Sequence, residues 1–485
     1  MPHDNNRRLN RQDYKTLTLA ALGGALEFYD FIIFVFFAAV VGDLFFPADM
    51  PEWLRLVQTF GIFAAGYLAR PLGGIVMAHF GDLVGRKKMF TLSILLMALP
   101  TLAMGLLPTY ASIGIAAPLL LLLMRVLQGA AIGGEVPGAW VFVAEHVPRR
   151  RIGFACGTLT AGLTVGILLG SVVATVINTT LSPQSIAGGG WRIPFLLGGM
   201  FGLVAMYLRR WLQETPIFIE MQARKALAEE LPLKSVVINH KREVAVSMLL
   251  TWLLSAGIVV VILMTPTYLQ KQFAIAPALT LQANSIATIM LIAGCIVAGL
   301  SADRFGASKT LVVGSVLLAG CSWLFYQTVG VRPEMLFACY ALVGFSVGVV
   351  GAVPYVMVRA FPAEVRFTGI SFSYNVSYAI FGGLTPIFVT LIMKLTPLAP
   401  AYYVLALSLL GLLLGVYLHR DLNSEAGERR ATPTAKKKAL QCRAFSSGEG
   451  DYAATGEAAT RAGAGSPIGS TVRPYCSLST SAIAR

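Results

Sequence analysis

Charge is scarce in this chain. Of its 485 residues only 13% are Asp, Glu, Lys or Arg, while 56% are hydrophobic; water-soluble domains run near about 25% charged. A soluble globular protein is thereby excluded. The five histidines and six cysteines show neither metal-ligand spacing nor a disulfide framework. Cys156, Cys295, Cys321 and Cys339 fall in apolar runs, where a small buried residue is the simplest reading, and Cys442 and Cys476 lie near the C-terminus. No nucleophile–base pair or cofactor motif stands inside an apolar run, so an enzyme is not expected, and neither metal nor cofactor is called for.

What the chain has instead is length without charge. Apolar segments recur at 17–44, 56–80, 88–108, 113–144, 153–181, 193–212, 244–269, 279–301, 310–329, 334–358, 367–393 and 400–419. Each approaches or exceeds the roughly 20 residues that a helix needs to cross a bilayer, and each is too long for a barrel strand. The fold class expected is an all-α membrane protein of twelve transmembrane helices. The first sixteen residues are polar and basic, and the run after them is too long for a signal-peptide core, so it reads as a permanent span.

The net charge of +14 does not point to nucleic acid, because the basic residues sit in short loops. With a cytoplasmic N-terminus, 27 Lys and Arg fall on the cytoplasmic side; the other side holds Arg55, Arg192, Lys271, Arg332 and Lys394. That bias predicts both termini inside the cell. The domain plan is then an N-terminal segment 1–16, a six-helix bundle 17–212, a cytoplasmic linker 213–243, a second bundle 244–419 and a tail 420–485. The linker reads as amphipathic and surface-lying. The tail is rich in Ala, Gly, Ser, Thr and charge, lacks heptads, and reads as disordered.

The two bundles repeat each other. GGIVMAHFGDLVGRKK (73–88) is echoed by GLSADRFGASK (299–309), placing Asp82 on Asp303; Arg151 falls on Arg366, Gly129 on Gly344 and Gly133 on Gly348. Two pseudo-symmetric six-helix halves imply a small-molecule site between them, near mid-membrane.

The chain resembles the major facilitator superfamily over about residues 15 to 420, through GDLVGRKK (81–88) and RVLQG (125–129). ALEFYDF (25–31), ARPLGG (69–74), GGE (133–135) and FGGLTP (381–386) look like its metabolite:proton symporters. The resemblance implies a multi-pass carrier of a bacterial inner membrane, coupled to protons, and a monomer is expected. It implies a small organic acid such as citrate or another di- or tricarboxylate as substrate. The alternatives are an osmolyte symporter of the proline/betaine type and a non-transporting receptor of the same fold. Span five lacks the Gly-Pro of drug exporters.

Ionisable groups inside the membrane are expensive and mark function. Glu27, Asp30, Arg70, Arg125 and Glu135 all belong to the first half, and rise arithmetic puts Glu27, Arg70 and Glu135 at a common depth of roughly 15 Å. The expectation is one polar cluster of all five. Glu27, Asp30 and Glu135 are then the proton-coupling candidates, and Arg70 and Arg125 either seat an anionic substrate or neutralise the acids. In the second half SFSYNVSYAIFGG (371–383) offers Tyr374, Asn375 and Tyr378 as uncharged cavity-lining groups, with Tyr355 and Trp252 as weaker candidates. Asp82, Arg86, Asp303, Arg304, Glu145 and Arg366 stand at cytoplasmic span ends, where charge pairing between halves would form a gate.

Overall fold

The computed structural model describes residues 9–84, 86–209, 233–362 and 365–419. Side chains are described throughout these ranges except at 27, 75–84, 86–91, 93, 94, 208, 209, 234 and 235. Glu27, Asp82 and Arg86 therefore lie outside the described side chains, as do Glu364, most of the linker and the tail.

Among the described residues the helices follow the order of the twelve expected spans and are numbered accordingly. Span 1 is Arg11–Phe36, continued by Ala38–Phe45. Spans 2 and 3 are Glu52–Val84 and Arg86–Leu106; spans 4 and 5 are Ala116–His146 and Arg149–Thr180. Span 6, Arg192–Arg209, follows a short helical segment Pro183–Gly190 bent away from it by 48°. The second half holds spans 7 to 12: Lys241–Phe273, Pro277–Phe305, Ala307–Thr328, Pro333–Ala360, Arg366–Ile392 and Ala399–His419. Among the described residues nine of these are long and apolar enough to cross a membrane, ten with the bent pair counted as one. The remaining two are spans 2 and 3.

Local chemistry sets the ends. Span 1 starts six residues before its apolar run because Asn10 caps it: the Asn10 side chain accepts from the Asp13 N–H and Asp13 returns the favour to the Asn10 N–H, both at 2.8 Å. Span 8 ends where Gly306 takes a φ of 91°, open to glycine at little cost. Of the linker, Leu233–Asn239 is a short helix and Lys241 already begins span 7.

The internal repeat is a repeat of packing. A Cβ on Gly129 would lie 1.8 Å from the Gly66 carbonyl oxygen, so span 4 touches span 2 backbone to backbone. At the equivalent place in the second half, a Cβ on Gly344 would lie 2.1 Å from the Ala287 carbonyl oxygen, joining span 10 to span 8 in the same way. Hydrophobicity cannot drive helices together in lipid, whose tails are equally apolar; close backbone approach through small residues does.

The second-half spans around the centre are irregular. Span 7 contains a π segment, Val259–Met264, and span 11 another, Tyr378–Gly382. Span 10 tightens to 3-10 geometry over Gly348–Ala352. Such interruptions release backbone carbonyls and concentrate at functional positions. Tyr340 of span 10 donates to the released Val261 carbonyl at 2.7 Å.

Candidate functional site

Of the five charges expected in one cluster, Glu27 lies outside the described side chains, and Asp30 stands apart from Arg70 and Arg125. Asp30 is fully buried, yet its carboxylate turns into the first half, toward spans 3 and 6. A Cβ on Gly198 would meet Asp30 Oδ1 at 2.6 Å and Thr101 Cγ2 at 3.0 Å, so two small contacts of span 6 and span 3 make its niche. Neither Asp30 oxygen has a hydrogen-bond partner, and no ion pair joins Asp30 to Arg70 or Arg125, among the described residues. The reason is helical direction: Phe31, one residue on, takes the face toward spans 2 and 4, and Asp30 is thrown to the side.

Arg125 is reached from Asp30 through neighbours. The Gln128 amide donates to the Asp30 carbonyl at 3.2 Å and to Thr101 Oγ1 at 2.8 Å, and its Oε1 accepts from Arg125 Nη1 at 2.6 Å. Arg125 Nη1 also donates to the Phe31 carbonyl at 3.3 Å. Its guanidinium lies over the rings of Phe31, Phe34 and Phe63 at 4.2, 4.6 and 5.2 Å. Glu135 is buried in the first turn of the second piece of span 4, Glu135–His146, just past the Gly133-Gly134 break.

Arg70 is where the halves meet. Its guanidinium faces Tyr378 at 4.8 Å, Tyr67 at 5.1 Å, Tyr374 at 5.6 Å and Phe31 at 5.7 Å. Tyr67 and Arg70 come from span 2, one helical turn apart, and Tyr374 and Tyr378 from span 11. The rings touch one another: Tyr67 to Tyr378 at 5.0 Å and Tyr374 to Tyr378 at 4.9 Å between centroids. Trp140 of span 4 meets Tyr374 edge-on at 5.1 Å. Asn375 crosses the same seam, its amide donating to the Gly133 carbonyl of span 4. An aromatic enclosure that holds a cation can also hold a substrate's cation, and the guanidinium can receive a carboxylate.

Tyr374, Asn375, Tyr378 and Arg70 are thus brought together as the sequence suggests. Tyr67, Phe31 and Trp140 were missed, although Tyr67 stands at i−3 from Arg70, a spacing that places them on one face. The weaker candidates go elsewhere. Trp252 donates to the Tyr403 hydroxyl at 3.0 Å and stacks on Phe381 at 4.1 Å, inside the second half, and Tyr355 is bonded by Arg359 near the C-terminal end of span 10.

The seam is fastened at both ends. Spans alternate in direction, so starts of odd spans and ends of even spans share one face. At that face Asp303, at the end of span 8, accepts the backbone N–H groups of Gly153 and Phe154 at 2.7 and 2.8 Å. It therefore caps the start of span 5 from the opposite half, favoured by the helix dipole. Arg366 of span 11 pairs with Glu145 of span 4 at 3.5 Å. Arg304, expected as a partner in this gate, is exposed and makes no ion pair among the described residues; its guanidinium rests by its neighbour Phe305. At the opposite face Glu52 of span 2 pairs with Lys271 of span 7, and the Lys394 ammonium, after span 11, sits 3.2 Å from the Trp53 ring centre. These four were not singled out as a gate, since loop charges on that side read only as topogenic.

A family model described as Major Facilitator Superfamily matches residues 19–386. The chain is 32% identical to the glycine betaine/proline/ectoine/pipecolic acid transporter OusA of Dickeya dadantii (strain 3937), covering 87% of this chain and 86% of that one. It is 30% identical to the proline/betaine transporter of Salmonella typhimurium, again over 87% and 86%. Among solved structures, the proton:xylose symporter XylE bound to 6-bromo-6-deoxy-D-glucose superposes with a TM-score of 0.67 at 16% identity, over 84% of this chain and 95% of that one, a likeness of fold. Two six-helix halves packed by equivalent glycines, a charged aromatic seam between them and a match across three-quarters of the sequence lead to one conclusion: this chain belongs to the major facilitator superfamily of membrane transporters.

Proposed function

We propose that this transporter carries a small zwitterion of the proline or betaine type into the cell together with protons. The observation that carries the reading is Arg70, buried at the junction of the halves and faced by Tyr67, Tyr374 and Tyr378. A zwitterion presents a carboxylate to the guanidinium and a cationic nitrogen to the tyrosine faces, and so uses both features at once. A tricarboxylate uses only the first. The relatives named above carry proline and betaine in their names, which supports the osmolyte reading over the organic acid favoured from sequence.

Asp30 is the proposed proton carrier. A buried carboxylate without a partner is costly while charged, and a bound proton removes that cost. Its link through Gln128 to Arg125 and Phe31, whose ring also faces Arg70, supplies contiguous contacts between the proton site and the seam. The proposed setting is a bacterial plasma membrane with both termini cytoplasmic. The test is uptake of radiolabelled proline, glycine betaine, citrate and 2-oxoglutarate into proteoliposomes, with and without an inward pH gradient. Gradient-dependent uptake of proline or betaine is expected; uptake of citrate alone overturns the substrate reading. Full gradient-driven uptake by Asp30→Asn overturns the proton assignment.

A further inference from the structure

Besides Arg70, whose Nε is also without a hydrogen-bond partner, two polar atoms at the seam are buried and unpaired among the described residues. The indole Nε1–H of Trp140 and the amide Oδ1 of Asn375 both lack partners among the described residues, and both side chains are 1% exposed. One is a donor from the first half and the other an acceptor from the second. Trp140 packs on the ring of Tyr374, and Asn375 is the next residue of span 11.

The direction of the Asn375 amide is set by chemistry. Its nitrogen faces the Gly133 carbonyl, which only accepts, and lies 3.2 Å from Ser371 Oγ. Oδ1 must therefore point away from span 4's backbone. Trp140 has donor capacity only, and its ring is held by Tyr374. Buried donors and acceptors are almost always satisfied in folded proteins, so an orphan donor from the first half and an orphan acceptor from the second ask for a ligand that offers both complements.

We infer that this pair is a specificity subsite for an amino-acid zwitterion bearing N–H groups: Trp140 Nε1–H donates to the substrate carboxylate, and Asn375 Oδ1 accepts from its ammonium. The inference rests on the seam's being the substrate site. It goes further by separating two kinds of zwitterion. Proline, a secondary ammonium with two N–H bonds, satisfies both orphans. Glycine betaine, with a fully methylated nitrogen, satisfies Trp140 and relies on the tyrosine faces for the rest. A site that hydrogen-bonds a substrate group discriminates strongly against an analogue lacking it, because its own buried group is left unpaired.

Equilibrium binding to the purified full chain decides the matter, using proline, N,N-dimethylproline, which has no N–H, and glycine betaine. The unmodified chain is expected to bind proline about tenfold more tightly than N,N-dimethylproline. Trp140→Phe is expected to weaken proline and glycine betaine alike by about tenfold. Asn375→Ser is expected to weaken proline about tenfold more than it weakens glycine betaine. Equal affinity of the unmodified chain for proline and its dimethyl derivative overturns the inference, and needs no variant to fold. So does Asn375→Ser weakening both ligands equally, the mark of a residue that only joins spans 4 and 11. Binding of none of the three by the unmodified chain overturns the proposed substrate class, and this subsite with it.

Discussion

The two ends of the interface between the halves are fastened by different chemistry. At the Asp303 end, one half-buried carboxylate accepts two backbone N–H groups from the start of a helix in the other half. Arg366 there pairs with Glu145, whose side chain is 6% exposed. At the Glu52 end, the ion pair to Lys271 joins side chains 62% and 42% exposed, and the Lys394–Trp53 contact is also at the surface. Charge-assisted hydrogen bonds contribute about 1.5–3 kcal/mol each, whereas exposed ion pairs contribute about 0–1 kcal/mol. The Asp303 end is therefore the firmer latch. Opening toward the Glu52 side costs less, which suits a carrier that waits for substrate from that side.

The comparison is broken most severely at Gly153. A Cβ there would lie 2.5 Å from the Gly299 carbonyl oxygen and 2.7 Å from Asp303 Oδ1. Gly153→Val should force spans 5 and 8 apart and reduce uptake at least tenfold. Cysteine-labelling at that end should rise in parallel. Retained uptake and unchanged labelling would mean that the close approach is not needed. Asp303→Ala comes next, leaving two N–H groups at a helix start uncapped. A several-fold loss of uptake is expected, with the population shifted toward the form open at that end, read by double electron–electron resonance between labels on spans 5 and 8. Asp303→Asn should recover part of the loss, since the amide oxygen still accepts but carries no charge.

Arg366→Ala should have a smaller effect of the same sign, about twofold to threefold on uptake, because only one pair is lost and Glu145 is left buried with less compensation. Lys271→Ala should change uptake by less than about twofold, and what change there is should fade in 1 M salt, where screening acts within about 3 Å. If Lys271→Ala instead exceeds Asp303→Ala, the assignment of the firmer latch is reversed.

The same contrast shows how far the sequence could be read. Asp303, Glu145 and Arg366 were legible as charges able to join the halves because the repeat placed them at equivalent span ends. Their actual partners were less so: Asp303 binds backbone amides, which no pattern of side-chain charges announces, and Arg304 stands aside. Arg70 with Tyr374, Asn375 and Tyr378 was legible in outline. The enclosing rings of Tyr67 and Phe31 and the orphan indole of Trp140 were not, since one aromatic in an apolar run looks like any other until its neighbours are known. Asp30 is the clearest case. Depth along the helix could be counted from residue number, and depth suggested a meeting with the arginines; the azimuth around the helix sends it to Gly198 and Gly202 instead.

Hydropathy, loop charge and internal repetition are sums over neighbouring residues, so the chain's own order was enough to indicate an all-α membrane protein in two related halves. Which buried groups face each other depends on how helices far apart in sequence are rotated and packed. That was decided by backbone contacts at glycines such as Gly129 and Gly344, and by the seam that brings spans 2 and 4 against span 11. Local order sets what each helix carries; only packing sets what each side chain meets.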